Sequence, residues 1–258
     1  AIIAVPSTSM RANIRAIRDA LPETVILVCA TKGLEVKTGK RMSQVVTEEL
    51  PNIFAGQVCA LSGPNLAGEV IRGKISSTVI AATNEVVAKS AQSLLATPRF
   101  RVYTNTDIVG VEFGGALKNI IALGAGICEG LGVGDNAKAA FITRGLTEIT
   151  RLALAAGGKA MTLAGLAGMG DLIATCSSPL SRNHQVGLAL AEGKTLEGIR
   201  SGMMHVAEGV DTTSAAMKLA SRLVVEMPIT EATYEVLFRG MAIDRAISDL
   251  MGRAPSGE

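Results

Sequence analysis

The most informative chemistry in the sequence is a lysine placed where an ammonium is costly. The segment Gly114-Gly115-Ala116-Leu117-Lys118-Asn119-Ile120-Ile121-Ala122-Leu123 is small and apolar, with glycines at its start, and only Lys118 and Asn119 interrupt it. A buried ammonium without a partner is strongly unfavourable, so Lys118 either snorkels outward or faces a polar cavity. In a cavity its pKa falls toward the range useful for proton transfer.

Other segments carry weaker versions of the same signal. Ala30-Thr31-Lys32-Gly33 follows an apolar run and puts Lys32 at the carboxyl end of a strand, where open α/β sheets bind ligands; a solvated loop lysine fits equally well. In Ser62-Gly63-Pro64-Asn65, Gly63 lets a ligand approach the backbone and Asn65 offers an amide, although a plain turn explains the same residues. Gly168-Met169-Gly170-Asp171-Leu172 sets a carboxylate among apolar residues, and Ser181-Arg182-Asn183 offers an arginine fork beside hydroxyl and amide donors, a set suited to phosphate. The competing reading is a loop in which Asp171 caps the following turn. His184 and His205 read as structural or surface residues. Gly132-Val133-Gly134-Asp135-Asn136-Ala137 spells G-x-G-x-x-A, but a helix-like stretch rather than a strand precedes it, so it reads as a loop between helices.

The elements that must position these groups fall into two textures. Up to about Tyr103, short β-rich runs (Ala1–Val5, Thr24–Ala30, Val58–Leu61, Thr78–Ala82, Phe100–Tyr103) alternate with helix-compatible segments (Ser7–Ala20, Thr38–Leu50, and Glu85–Leu95 capped by Asn84). That alternation predicts a parallel sheet covered by helices, with Ala1–Val5 and Thr24–Val28 as buried strands. After Asn105 the apolar residues recur at helical spacing. Ile142, Leu146, Ile149, Ala153 and Ala156 mark one face of a helix, with Arg144, Glu148 and Arg151 on the other at spacings that allow ion pairs, and Gly157-Gly158 ends it. Thr213–Val225 and Glu231–Arg239 read the same way, which predicts a helical domain from about residue 105 onward.

Composition bounds the partners. With 25 Lys plus Arg against 23 Asp plus Glu, the formal charge of +2 supplies no field to draw nucleic acid or an anionic membrane, so any anion must be held locally. The longest uncharged stretch, Leu50 to Gly68, is broken by prolines and amides and predicts no membrane span. Four scattered cysteines and two histidines predict reduced cytoplasmic thiols and no metal site.

Taken in order, these segments resemble the bacterial NAD(P)-dependent glycerol-3-phosphate dehydrogenases. The similarity rests on Ala30 to Glu35, Ser62-Gly63-Pro64, Gly114 to Gly126 with Leu117-Lys118-Asn119, Ile142 to Leu146, Gly168 to Asp171, Ser181-Arg182-Asn183, Val206 to Gly209, and Glu226 to Glu231. The resemblance implies an incomplete Rossmann-like parallel-sheet domain, residues 1–104, followed by an all-helical substrate domain, residues 105–258. It implies NAD(P) as cofactor and interconversion of dihydroxyacetone phosphate and sn-glycerol 3-phosphate for phospholipid synthesis. Lys118 would be the general acid/base. Lys32, Gly63, Asn65, Asp171, Ser181, Arg182 and Asn183 would contact substrate, and Lys32, Ala67, Arg182, Val206 and Glu208 the cofactor. A cytoplasmic homodimer is the expected state. Two positions depart from the family: Asn65 stands where a hydroxyl residue is usual and Gly68 where a lysine is common. The family's opening strand, G-x-G-x-x-G turn and helix have no counterpart here, so the sequence reads as a member lacking that part. Two alternatives stay open at this point, a non-catalytic helical dimerisation module and a reductase of another small carbonyl compound.

Overall fold

In a computed structural model, residues 1–202 and 207–253 are described. Through Asn105 the chain runs β1 (Ile2–Ile3), α1 (Met10–Ile17), β2 (Leu27–Cys29), α2 (Met42–Glu49), β3 (Val58–Ser62), α3 (Ala67–Ile71), β4 (Ser76–Ala81), α4 (Glu85–Leu95) and β5 (Phe100–Asn105). The strands form one sheet in sequence order. Parallel pairing joins β1 to β2, β2 to β3 and β4 to β5. The β3 and β4 pair is antiparallel, with Leu61 opposite Ile80, so the sheet is mixed where alternation alone predicted parallel strands. Side chains alternate between faces as the pleat requires. Leu27 and Cys29 join Ile3, Met10, Ile14 and Val45 on one side, while Val28 joins Cys59, Ile80, Ala88 and Val102 on the other. The predicted burial of the first strand holds for Ile3 but not for Ile2, which is 59% exposed on the outer strand of this sheet.

The remainder is helical: α5 (Ile108–Gly130), α6 (Asp135–Ala155), α7 (Ala160–Leu163), a π-helical turn (Leu166–Gly170), α8 (Asp171–Ser177), α9 (Arg182–Ala191), α10 (Leu196–Gly202), α11 (Glu208–Leu223), α12 (Pro228–Arg239) and α13 (Ile243–Met251). The spine is α5. Asp107 starts it by accepting from the Gly110 amide, and nearly every residue from Ile108 to Ile127 is buried. Its Phe113, Leu117, Ile120 and Ile121 pack with Ile149, Leu152, Leu172, Leu219 and Ile229 of surrounding helices. By length and apolarity α5 is one of two stretches among the described residues able to cross a bilayer, the other being Ala160–Ser177. The most apolar window of α5 is 89% buried within the protein and includes Lys118, and Ala160–Ser177 is interrupted by the π-helical turn, so neither reads as a span. The sheet meets α5 directly, because Val79 and Ala81 of β4 pack on Ile108 and Val111.

One predicted contact is wrong. Glu148 does not pair with Arg144 or Arg151 on an outer face of α6; it is buried and accepts from the Ile229 and Thr230 amides and the Thr230 hydroxyl, capping α12. The G-x-G-x-x-A segment does fall between two helices, with Gly132 and Gly134 at positive φ between α5 and α6.

Candidate active site

The site forms where the carboxyl ends of β2 and β3 meet the middle of α5. Close approach is possible because Gly115, one turn before Lys118, has no side chain: a Cβ there would overlap the Ser62 hydroxyl at the end of β3 and meet the Lys32 stem at 3.5 Å. Asp171, the first residue of α8, then sits between two ammonium groups. Lys118 Nζ donates to Asp171 Oδ1 at 2.5 Å and Lys32 Nζ to Asp171 Oδ2 at 2.7 Å. Lys32 also donates to the Gly63 carbonyl at 2.9 Å, and the Ser62 hydroxyl lies 3.4 Å from Asp171 Oδ2.

Thr175, one turn along α8, fixes the proton inventory. Its hydroxyl donates to the Asp171 carbonyl at 2.6 Å and therefore accepts from Lys118 Nζ, also at 2.6 Å. A lysine ammonium has three N–H donors. With two held by Asp171 and Thr175, Lys118 keeps one for an incoming oxygen.

The electrostatics follow from burial and charge. Burial, then the like charge of Lys32, lowers the Lys118 pKa to about 8 despite the opposing pull of Asp171. Burial is also the strongest single influence on Asp171 and acts to raise its pKa, yet Lys32 and Lys118 together hold that carboxyl below its ordinary value. The cluster is thus a buried carboxylate stabilised by two cations, one of which is brought close to neutral pH.

A second group of predicted residues gathers beside it. Gly126 and Gly187 let α5 and α9 pack backbone to backbone, since a Cβ on either would overlap the other helix. This brings Asn183 Nδ2 within 2.9 Å of Asn119 Oδ1, while Asn183 Oδ1 accepts from the Gly209 amide at 2.9 Å. The Ser181 hydroxyl oxygen caps α9 by accepting from the His184 amide, leaving its own O–H free to donate. Arg182 is exposed on the first turn of α9, and its charge reaches Glu208. Glu208 accepts from the Ser7 amide at 3.0 Å and from the Ser7 hydroxyl, linking the start of α11 to the turn after β1; burial raises its pKa.

The structure therefore brings Lys32, Gly63, Lys118 and Asp171 into one cluster and sets Ser181 and Asn183 in a second against α5. Ala67 is exposed at the start of α3. Val206 and His205 lie outside the described residues. His184 is buried with Nε2 3.2 Å from Glu129, and its Nδ1 has no hydrogen-bond partner among the described residues. Ser62, Thr175 and Ser7 escape sequence reasoning because single hydroxyl residues carry no distinguishing pattern, whereas Asn119 was visible as a polar break in an apolar run.

Asn65 tests whether these residues suit a ligand. Its Nδ2 donates to Thr78 Oγ1 at 2.7 Å, but its buried Oδ1 has no donor among the described residues. A buried acceptor left open three residues past the end of β3, where α/β sheets bind nucleotides, fits a ligand amide or hydroxyl. That acceptor and the third N–H of Lys32 suit the chemistry of a nicotinamide carboxamide, which both donates and accepts.

Known proteins share about half of this sequence and, in a solved structure, its fold. Residues 1–88 match the family described as NAD-dependent glycerol-3-phosphate dehydrogenase N-terminus, and residues 107–248 its C-terminus. A glycerol-3-phosphate dehydrogenase [NAD(P)+] of Dehalococcoides mccartyi is 53% identical over 250 residues, which are 97% of this chain and 70% of that one. Another from Chlorobium chlorochromatii is 49% identical over 257 residues and 77% of its own length. The crystal structure of glycerol-3-phosphate dehydrogenase from Coxiella burnetii superposes with a TM-score of 0.91 at 38% identity, covering 98% of this chain and 76% of that one. Sequence and fold together place the chain in the NAD(P)-dependent glycerol-3-phosphate dehydrogenase family, with a Rossmann-type sheet followed by a helical domain.

Proposed function

We propose that the protein interconverts dihydroxyacetone phosphate and sn-glycerol 3-phosphate with NAD(P)H and NAD(P)+, supplying glycerol phosphate for phospholipid synthesis. The observation that carries this reading is Lys118, buried, ion-paired to Asp171, and lowered to about pKa 8. When bound, the reduced nicotinamide supplies a hydride to the carbonyl carbon. Lys118 gives its third proton to the C2 oxygen as negative charge develops there, and in the reverse direction neutral Lys118 takes the hydroxyl proton. Asp171 balances the ammonium and orients it. Thr175 restricts its direction by accepting one N–H.

In this reading Lys32, with one N–H beyond its bonds to Asp171 and Gly63, contacts both ligands, and the open Asn65 Oδ1 receives a donor from one of them. Ser181, Arg182 and Asn183 hold the substrate phosphate at the start of α9, where the amide dipoles favour an anion. Arg182, Ala67, Val206 and Glu208 complete the cofactor contacts. Residues 1–104 serve the nucleotide and residues 105–258 the substrate. The reading includes a cytoplasmic location, in keeping with four free cysteines, and a homodimer, which light scattering checks.

The test is NAD(P)H oxidation dependent on dihydroxyacetone phosphate. Lys118→Ala is expected to lower kcat/KM by roughly 10²–10⁴-fold. Unchanged turnover in that variant removes Lys118 from the mechanism, and faster turnover of a phosphate-free ketone removes the phosphate role of Arg182.

A further inference from the structure

Sharing no residue with the Lys118 cluster, an open groove of about 500 Å³ lies between the loop after Leu34 and the outer sides of α11 and α12. Lys37 and Thr38 line one wall. Met217, Lys218, Ser221, Arg222 and Tyr234 line the other, so the groove holds three cations and no carboxylate. The Arg222 guanidinium lies across a glycine turn: Gly39 has φ +70°, and a Cβ there would come within 2.7 Å of Arg222 Nη2. Lys218 donates to the Val36 carbonyl at 3.2 Å, which anchors its ammonium at the loop.

No carboxylate lines the groove to balance this charge. Glu35, the nearest carboxylate along the loop, is taken by Arg11 at 2.8 Å and by the Thr38 hydroxyl at 2.5 Å. Among the described residues, no protein partner engages Lys37 Nζ, the Arg222 guanidinium, the Ser221 hydroxyl or the Tyr234 hydroxyl. Three exposed cations around one concavity give it a positive potential that favours an anion there. A planar guanidinium, two ammonium groups and two hydroxyl donors match the oxygens of a phosphate, and Met217 with the Tyr234 ring offers apolar surface to an attached carbon skeleton.

We propose that this groove binds the phosphate group of a phosphate ester at a site separate from the catalytic cleft. Either a free phosphorylated metabolite or a phospholipid headgroup presents that chemistry. Because the walls come from the loop after Leu34 and from α11, the bound group ties the sheet-bearing part of the chain to the helix whose first turn donates the Gly209 amide to Asn183.

The chain has no Trp and two Tyr, so Tyr103→Phe leaves Tyr234 as the sole tyrosine and its emission reports on the groove. Inorganic phosphate, titrated against sodium chloride at matched ionic strength, is expected to give a saturable change in that emission. Lys37→Gln combined with Arg222→Gln is expected to raise the half-saturating phosphate concentration about tenfold or more, since two charge-assisted contacts are lost. Arg182→Gln, which weakens only phosphate binding in the cleft, is expected to leave it unchanged. Both replaced groove side chains are exposed, and far-UV circular dichroism verifies the fold. Sedimentation with phosphatidylcholine vesicles containing phosphatidic acid, lost in the double variant, assigns a headgroup; a phosphate response without sedimentation assigns a free ester. A response that chloride reproduces, that does not saturate, or that survives the double substitution overturns the proposal.

Discussion

Asp171 and Glu148 are two carboxylates buried to nearly the same degree, at 2% and 1% exposure, in the same helical part of the chain, and burial acts on both in the same direction. They end on opposite sides of the ordinary carboxylate value. Two ammonium groups answer the charge of Asp171 and lower its pKa, while two amides and one hydroxyl, with a weaker pull from the charge of Arg151, answer Glu148, whose pKa stays raised. Dipoles satisfy a buried carboxylate without neutralising it; cations satisfy it and leave a charged, polarised cluster. The first arrangement holds α6 to α12, and the second gives Lys118 its proton inventory.

Breaking the cationic arrangement should have the largest effect. Asp171→Asn removes the counter-charge from two ammonium groups, and kcat/KM is expected to fall by roughly 10²-fold or more because Lys118 loses both orientation and charge balance. Steady-state kinetics across pH adds a sharper check. Reduction needs protonated Lys118, so its rate is expected to decline as pH rises through about 8 in the unaltered protein. Asp171→Asn should move that inflection downward. Lys32→Met, which removes a like charge, should move it upward. A shift in the same direction for both would mean that packing rather than charge sets the Lys118 pKa.

Glu148→Ala should separate stability from chemistry. It strands two amides and a hydroxyl at the start of α12, an expected loss of about 2–4 kcal/mol in urea unfolding, with the kcat/KM of the folded fraction unaltered. A kinetic defect comparable with that of Asp171→Asn would erase the distinction between the two carboxylates.

Much of this contrast was legible in the sequence, unevenly. Lys118 stood out because an ammonium in an apolar glycine-flanked helix demands an explanation, and that helix is α5. Asp171 was visible as a carboxylate among apolar residues, but its pairing with Lys32 and Lys118 was not, because the partners are 139 and 53 residues away and meet only through the sheet-to-helix packing at Gly115. Glu148 was misread for the same reason. Spacing of three and four residues along α6 pointed to arginine partners, whereas its donors lie 81 and 82 residues on, at α12. Helical periodicity records neighbours on one element and is silent on what another element brings. The alternation of strands and helices likewise located β3 and β4 without their antiparallel pairing, since strand direction depends on the path of the connection through α3.

The pH dependence of stability sharpens the comparison by sign. Glu148 binds its proton more tightly in the native state than in the unfolded chain, so between its ordinary value of 4.5 and its raised native value stability falls as pH rises. Asp171 binds its proton less tightly in the native state, so the stability it contributes is present above 3.8 and is lost as pH falls through its lowered native value. Urea midpoints across the acid range should therefore show opposite trends when the unaltered protein is compared with Glu148→Gln and with Asp171→Asn.

The smallest effect tests how far dipoles can be thinned. Thr230 gives Glu148 Oε1 two donors, its amide at 2.8 Å and its hydroxyl at 2.7 Å, and Thr230→Val deletes only the second while nearly preserving volume. One hydrogen bond to a buried carboxylate is worth about 1.5–3 kcal/mol, but here the amides of Ile229 and Thr230 remain, so the expected loss lies at the lower end. The carboxyl should also become harder to ionise, which extends to higher pH the range over which stability falls. If Thr230→Val costs nothing at neutral pH yet Glu148→Ala costs its full amount, the two amides alone carry the cap and the hydroxyl merely fills the space above it.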